Sequence, residues 1–262
     1  MTKEELMAKN TAANGTNGSN PEGTIHLTLQ GKGGVGKSLV ASVLAQYFTD
    51  NGRVVRCIDT DPVNRTFAQY AALGADRLNL RDEHNRIDQR AFDILMERFL
   101  TEEAATFVVD SGASTFLPLW HYLLENNALD YLRQHGRKVY VHTIITGGQA
   151  LLDTLNGFHE LAQTTEERNI VVWVNEYFGR VEAEGKKFSE MTAYRENAEK
   201  VCGAVIFSKR NQDTFGRDVE DMIASKLTFR EAIAESKLPI MAKQRLKVVQ
   251  RDLFEQLDRV MF

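Results

Sequence analysis

Residues 31–38 read Gly31-Lys32-Gly33-Gly34-Val35-Gly36-Lys37-Ser38, which fits GxxxxGK[ST], and they follow directly on the apolar-rich run Ile25–Gln30. Behind them Leu39, Val43, Leu44, Tyr47 and Phe48 recur at helical spacing. A glycine-rich loop between a strand and a helix can curl its backbone so that successive N–H groups point inward at an anion. A side chain there would occupy the anion's place, and the opening helix adds the positive end of its dipole. Gly31, Lys32, Gly33, Gly34, Val35, Gly36, Lys37, Ser38 and Leu39 are therefore the candidate phosphate-binding segment. Lys37 is expected to reach the β- and γ-phosphates and the Ser38 hydroxyl to ligate Mg2+.

The rest of the chain repeats the strand-then-helix alternation. Strands are expected at Ile25–Gln30, Val54–Asp59, Phe107–Asp110, Val139–Ile145, Ile170–Asn175 and Ala204–Ser208. Helices are expected near 37–50, 88–100, 116–134, 148–166, 187–200, 212–225 and 242–260. Near-continuous Val/Ile strands, each followed by a helix, indicate a parallel sheet buried on both faces. The expected architecture is a doubly wound α/β layer sandwich, with one domain over 24–262. Residues 1–23 read as a flexible polar leader. Thr11–Gly23 is almost all Asn, Gly, Thr, Ser and Ala, too polar to order itself, and serves either as a dispensable tail or as a partner-binding arm.

Composition excludes some classes. No run of about 20 apolar residues is present, so no membrane-spanning helix is expected. A net charge of −4 argues against a strongly basic nucleic-acid coat, although not against a local basic patch. The two cysteines, Cys57 and Cys202, belong to no CxxC or Cys/His cluster, so zinc and iron–sulfur centres lack support. Isolated cysteines and a polar N-terminus without a signal-peptide core suggest a cytoplasmic protein.

Two further segments carry acidic chemistry. Phe107-Val108-Val109-Asp110 is an apolar strand ending in a carboxylate, the Walker B form, with Asp110 expected to approach the metal. Cys57-Ile58-Asp59-Thr60-Asp61-Pro62 puts carboxylates at a strand's C-terminal end, where open α/β sheets bind their ligands; capping of the following helix is the alternative for Asp59 and Asp61.

With lysines at positions 32 and 37, the loop resembles that of the deviant Walker A ATPases, the family of MinD, ParA-type partition proteins and the nitrogenase iron protein. The resemblance implies a P-loop ATPase that uses ATP and Mg2+. It also implies an ATP-dependent homodimer, in which Lys32 crosses to the partner's phosphates. It assigns Asp59 to the magnesium shell, Asp61 to orienting the attacking water and Asn175 to reading the adenine edge. A turn-forming role for Asn175 stays open. Lys32, Lys37 and Asp61 are thus the implied catalytic set, and Ser38, Asp59 and Asp110 the implied metal set. Two positions depart from the common family pattern: Leu39, where many relatives carry a Thr, and Ser111-Gly112-Ala113-Ser114 after the Walker B strand. Asn175 is followed by Glu176-Tyr177-Phe178, so the guanine-reading Asn-Lys-x-Asp element is absent.

A narrower resemblance, to the TraL-type conjugal transfer proteins of bacterial plasmids, rests on several stretches. The most particular is Thr146-Gly147-Gly148-Gln149-Ala150-Leu151-Leu152-Asp153-Thr154, joined by Arg245-Leu246-Lys247 and Leu253–Leu257. It implies an ATP-driven accessory factor in plasmid mobilisation, partnered by a conjugation-machinery or relaxosome protein. The alternative is a ParA-like partition or positioning ATPase on DNA. A third reading is a nucleotide-binding regulator without meaningful turnover.

The final helix places Leu246, Val249, Leu253, Leu257 and Val260 on one face, with Lys243, Arg245, Lys247 and Arg251 near its start. Core packing and membrane or DNA contact are both open to it. Lys186-Lys187 and Lys209-Arg210 could touch nucleic acid or simply be solvated. His142 is expected in the core, and Trp173 with Tyr177-Phe178 as core or pocket walls.

Overall fold

The structure is a computed structural model that describes residues 23–84, 86–102, 104–177, 179–260 and 262. The polar leader therefore lies, but for Gly23, outside the described residues. The elements that position the site follow in chain order: β1 (Thr24–Thr28), α1 (Lys37–Asp50), β2 (Val55–Asp59), β3 (Asp76–Arg77), α2 (Ala91–Thr101), β4 (Thr106–Asp110), α3 (Phe116–Glu125) and α4 (Ala128–Gln134). They continue as β5 (Lys138–Thr146), α5 (Leu151–Thr164), β6 (Ile170–Asn175), β7 (Glu182–Ala183), β8 (Lys186–Lys187), α6 (Thr192–Arg195), β9 (Val201–Phe207), α7 (Arg217–Ala224), α8 (Phe229–Ala234) and α9 (Ile240–Leu257).

Seven strands form one parallel sheet in the order β3-β2-β4-β1-β5-β6-β9. Alternation along each strand divides the apolar residues between two layers. Ile25, Leu27, Phe107, Val109, Val141, Val172 and Val174 face a core completed by α2, α3, α4 and α5. Val108, Ile144, Val171, Trp173 and Val205 face the other, completed by α1, α7, α8 and α9. The doubly wound α/β expectation holds. The side to which the connections run reverses between β1 and β4: β1 leads to β2 and β3 on one side, and β4 leads past β1 to β5, β6 and β9 on the other. The crevice at such a reversal, beyond the strands' C-terminal ends, is where open α/β sheets bind ligands.

Three helical expectations need correction. The helix expected over 116–134 is two, because Asn127 adopts a left-handed conformation (φ 49°) that asparagine tolerates better than most residues. The helix expected over 187–200 is only short turns around α6, preceded by the β7–β8 hairpin; Lys186 and Lys187 form one of its strands. The segment from 212 opens as a π-turn, Gln212–Gly216, before α7. An unforeseen helix, α8, starts from a reciprocal capping box: Thr228 Oγ1 accepts from Glu231 N at 3.2 Å, and Thr228 N donates to Glu231 Oε2 at 2.9 Å.

Leu246, Val249, Leu253, Leu257 and Val260 are all buried, so the final helix packs its apolar face into the core. Arg245 is bound by Asp218 at 2.5 Å, and Arg210 by Asp252 at 2.8 Å. No helix among the described residues is long and apolar enough to cross a membrane.

One buried polar chain runs through the second core. Trp173 Nε1 can only donate, and it lies 3.0 Å from His142 Nδ1. His142 Nδ1 must then accept, leaving Nε2 to carry the proton toward His26 Nδ1 at 2.9 Å. His26 Nε2 in turn donates to Thr24 Oγ1 at 3.0 Å. Both imidazoles are therefore neutral and of one tautomer. Burial pushes His142 down to about 3, and burial together with His142 and Arg53 holds His26 well below the usual histidine range.

Candidate functional site

The segment 31–36 connects β1 to α1 and turns at two left-handed glycines, Gly34 (φ 75°) and Gly36 (φ 108°). At Gly33 and Gly34 an added Cβ would face open space, so the backbone there borders a cavity rather than a packed wall. Val35 is buried and anchors the loop in the core shared with α1. Lys37 opens α1, is itself buried, and donates through Nζ to the Lys32 carbonyl at 2.9 Å. Burial lowers its pKa, while Asp110 and Asp61 act in the opposite sense.

Parallel register brings the carboxylates together. Asp59 ends β2 directly beside Asp110 at the end of β4, and Thr28 ends β1 on the other side of Asp110. Ser38 Oγ donates to Asp110 Oδ2 at 2.6 Å and Thr28 Oγ1 to Oδ1 at 3.0 Å. Burial raises the Asp110 pKa to about 7, and the neighbouring Asp59 charge adds to that; the Ser38 and Thr28 hydroxyls and Lys37 pull it back. Asp59 is also raised by burial, against backbone donation from Ala68 at 2.8 Å and Asp61 at 2.9 Å. Asp61 stands at the rim, its Oδ1 accepting from Val63 N at 2.8 Å and Asn64 N at 3.1 Å. Gly112 passes so close that a Cβ there would lie 2.8 Å from Asp61 Oδ1.

The loop glycines, Lys37, Ser38 and Asp61 open onto one cavity of about 630 Å³, and Asp110, bound to Ser38, stands behind its wall with Asp59 beside it. Gly33, Gly34, Gly36, Lys37, Ser38, Leu39 and Asp61 line one part of it, and Asn175, Tyr177, Phe207 and α7 another. Asn175 is held by the loop: its Nδ2 donates to Val35 O at 2.9 Å and its Oδ1 accepts from Tyr177 N at 3.0 Å. Lys32 points elsewhere, its Nζ 2.7 Å from Asp153 Oδ2, with 44% and 54% of the two side chains exposed. Trp173 is core rather than pocket, Tyr177 is a pocket wall, and Phe178 lies outside the described residues.

The donor set suits the ligands that the loop implies. Among the described residues no three His, Cys, Asp or Glu side chains form a metal cage. A hydroxyl and one or two carboxylates beside a phosphate cradle are instead what Mg2+ takes, since it keeps several waters and shares phosphate oxygens. Sequence reasoning missed Thr28 and Glu220. Thr28 lies before the recognisable loop, and Glu220 reaches the cavity only through folding.

Comparison with known proteins gives the family and the fold. Two Escherichia coli proteins, both named Protein TraL, are 48% and 46% identical over 235 residues, 89% of this chain and 97% of each relative. The MinD cell division protein of Aquifex aeolicus shares the fold at 15% identity with a TM-score of 0.50, covering 88% of this chain and 97% of its own. In the MinC:MinD complex from the same organism the TM-score is 0.51, again at 15% identity, covering 88% of this chain and 96% of that one. Residues 27–238 match the CobQ/CobB/MinD/ParA nucleotide binding domain, and the chain belongs to that family.

Proposed function

We propose that this protein is an ATP-driven, dimerising switch that acts as an accessory factor in plasmid conjugal transfer, with 24–262 working as a single ATPase domain. The observation that carries the reading is that Lys37 and Ser38 line one cavity with Asp61 at its rim, while Asp110 is bound to Ser38 Oγ from behind and Asp59 stands beside Asp110. The loop amides and Lys37 bind the triphosphate. Ser38 and Asp110, with Asp59 beside Asp110, would hold Mg2+, which when bound would supply positive charge to the phosphates. Asp61 orients the attacking water from the rim. Lys32 leaves the exposed Asp153 and reaches the phosphates of a second copy, adding positive charge where the transition state gathers negative charge. Similarity to the two TraL proteins supports the conjugative setting. A conjugation-machinery or relaxosome protein would then read the dimer.

The test is calorimetry with Mg-ATP. Lys37→Ala and Ser38→Ala are expected to abolish binding, because the phosphates lose their cation and the metal its hydroxyl. Unchanged affinity in Lys37→Ala sinks the assignment. Turnover and dimerisation are tested by Asp61→Ala, which should bind ATP and dimerise yet release no phosphate. A pull-down from donor cells with that trapped form identifies the partner.

A further inference from the structure

The part of the cavity away from the phosphate loop is lined by Tyr177, Phe207 and the α7 residues Val219, Glu220 and Ile223. Two aromatic rings and two aliphatic side chains offer faces for a purine base. Glu220 is the charged group among them, and it is held from two directions. Tyr177 Oη and Gln212 Nε2 both donate to its Oε1, the latter at 2.6 Å. Its Oε2 accepts no hydrogen bond among the described residues. A positioned carboxylate with one oxygen unused is an acceptor awaiting a donor, since an ionised carboxylate can do nothing but accept.

Asn175 is engaged with the backbone through both ends of its amide: its Oδ1 accepts from Tyr177 N, and its Nδ2 donates to Val35 O in the phosphate loop. Its closeness to the loop is tight, a Cβ at Gly36 falling 3.2 Å from Nδ2, which favours a bracing role.

We infer that Glu220 selects adenine, its Oε2 accepting a hydrogen bond from the 6-amino group of the base. Guanine presents a carbonyl oxygen at the same position, and two acceptors facing each other without a proton repel. Gln212, on the π-turn ahead of α7, and Tyr177, after β6, hold the carboxylate toward the cavity and so act as positioning residues. The inference rests on the nucleotide-switch reading and adds to it the residue that chooses the base.

The test measures binding of ATP, GTP, 2′-deoxyATP and purine riboside 5′-triphosphate, which lacks only the 6-amino group, all with Mg2+. Wild type is expected to favour ATP over the purine analogue by about tenfold or more, the range of a hydrogen bond to a charged group. Glu220→Ala should lower ATP affinity to that of the analogue while leaving the analogue's own affinity unchanged, which also shows that the variant is folded. Glu220→Gln, which keeps a carbonyl acceptor, should recover most of the loss. Equal losses for ATP and the analogue, or no loss for either, overturn the inference. So does a Glu220→Ala loss that disappears with 2′-deoxyATP, which would put the carboxylate on the ribose. Failure of wild type to bind any of the four refutes the nucleotide switch itself, an outcome distinct from loss of base choice alone.

Discussion

Lys32 Nζ and Asp153 Oδ2 are 2.7 Å apart, so the first lysine of the phosphate loop is tied to the first turn of α5. Both side chains are about half exposed, and exposed pairs of this kind are worth only about 0–1 kcal/mol. In the proposed dimer a triphosphate on a second copy would be a far stronger attractor than this pair. Lys32→Ala is therefore expected to bind ATP but not to dimerise. Asp153→Ala should change the concentration at which the dimer forms by less than about fivefold. Light scattering in ATP checks both. A Lys32→Ala protein that dimerises like wild type would make Lys32 an ordinary loop lysine.

Asp110 is buried, and burial raises its pKa to about 7. A carboxyl raised in the fold contributes stability that is present below its unfolded value and lost as pH rises through the folded value. At pH 8 the ionised side chain thus weighs against the nucleotide-free fold. Asp110→Asn should raise the melting temperature at pH 8 without ligand, by several degrees, and abolish the further rise that Mg-ATP gives wild type. If the variant melts lower than wild type without ligand, the carboxylate is not a burden on the fold.

The His26–His142 pair carries the opposite sign. Both pKa values lie below the unfolded value, so stability is full above about pH 6.5 and falls as acid protonates the unfolded chain. Each histidine contributes up to about 1.4 kcal/mol per pH unit. Asp110 opposes this over the same window, so urea unfolding is best followed in Asp110→Asn. The slope there should approach two protons, less what the raised Asp59 takes back. Proton resonances of both imidazoles should stay fixed from pH 8 to pH 5. Titration of either near pH 6 would contradict the buried neutral chain.

Gly112→Ala tests the rim. Its Cβ would lie 2.8 Å from Asp61 Oδ1 and 3.2 Å from Asp61 Cα, so the carboxylate must move. Phosphate release should fall by tenfold or more, on the order of 1.4 kcal/mol of lost orientation, while Mg-ATP affinity stays within about twofold. Loss of binding instead would place Gly112 in the nucleotide cradle.

Short-range order in the chain was enough to name most residues of the candidate site. The Gly31–Ser38 loop, with a strand before it and helical spacing after it, carries its own geometry, because left-handed glycines and a helix N-terminus are local properties. Apolar strand runs ending in Asp59 and Asp110 likewise announced a buried parallel sheet. Where local preference was weak, tertiary packing decided. The break at Asn127 and the short turns around α6 depend on what the chain packs against, and no periodicity marks them. The same holds for side chains that meet across the fold. Lys32 with Asp153 is separated by 121 residues, Ser38 with Asp110 by 72 and Tyr177 with Glu220 by 43. Sequence spacing says nothing of such pairs, since strand order and register, set by burying both faces of one sheet, determine which loop ends become neighbours.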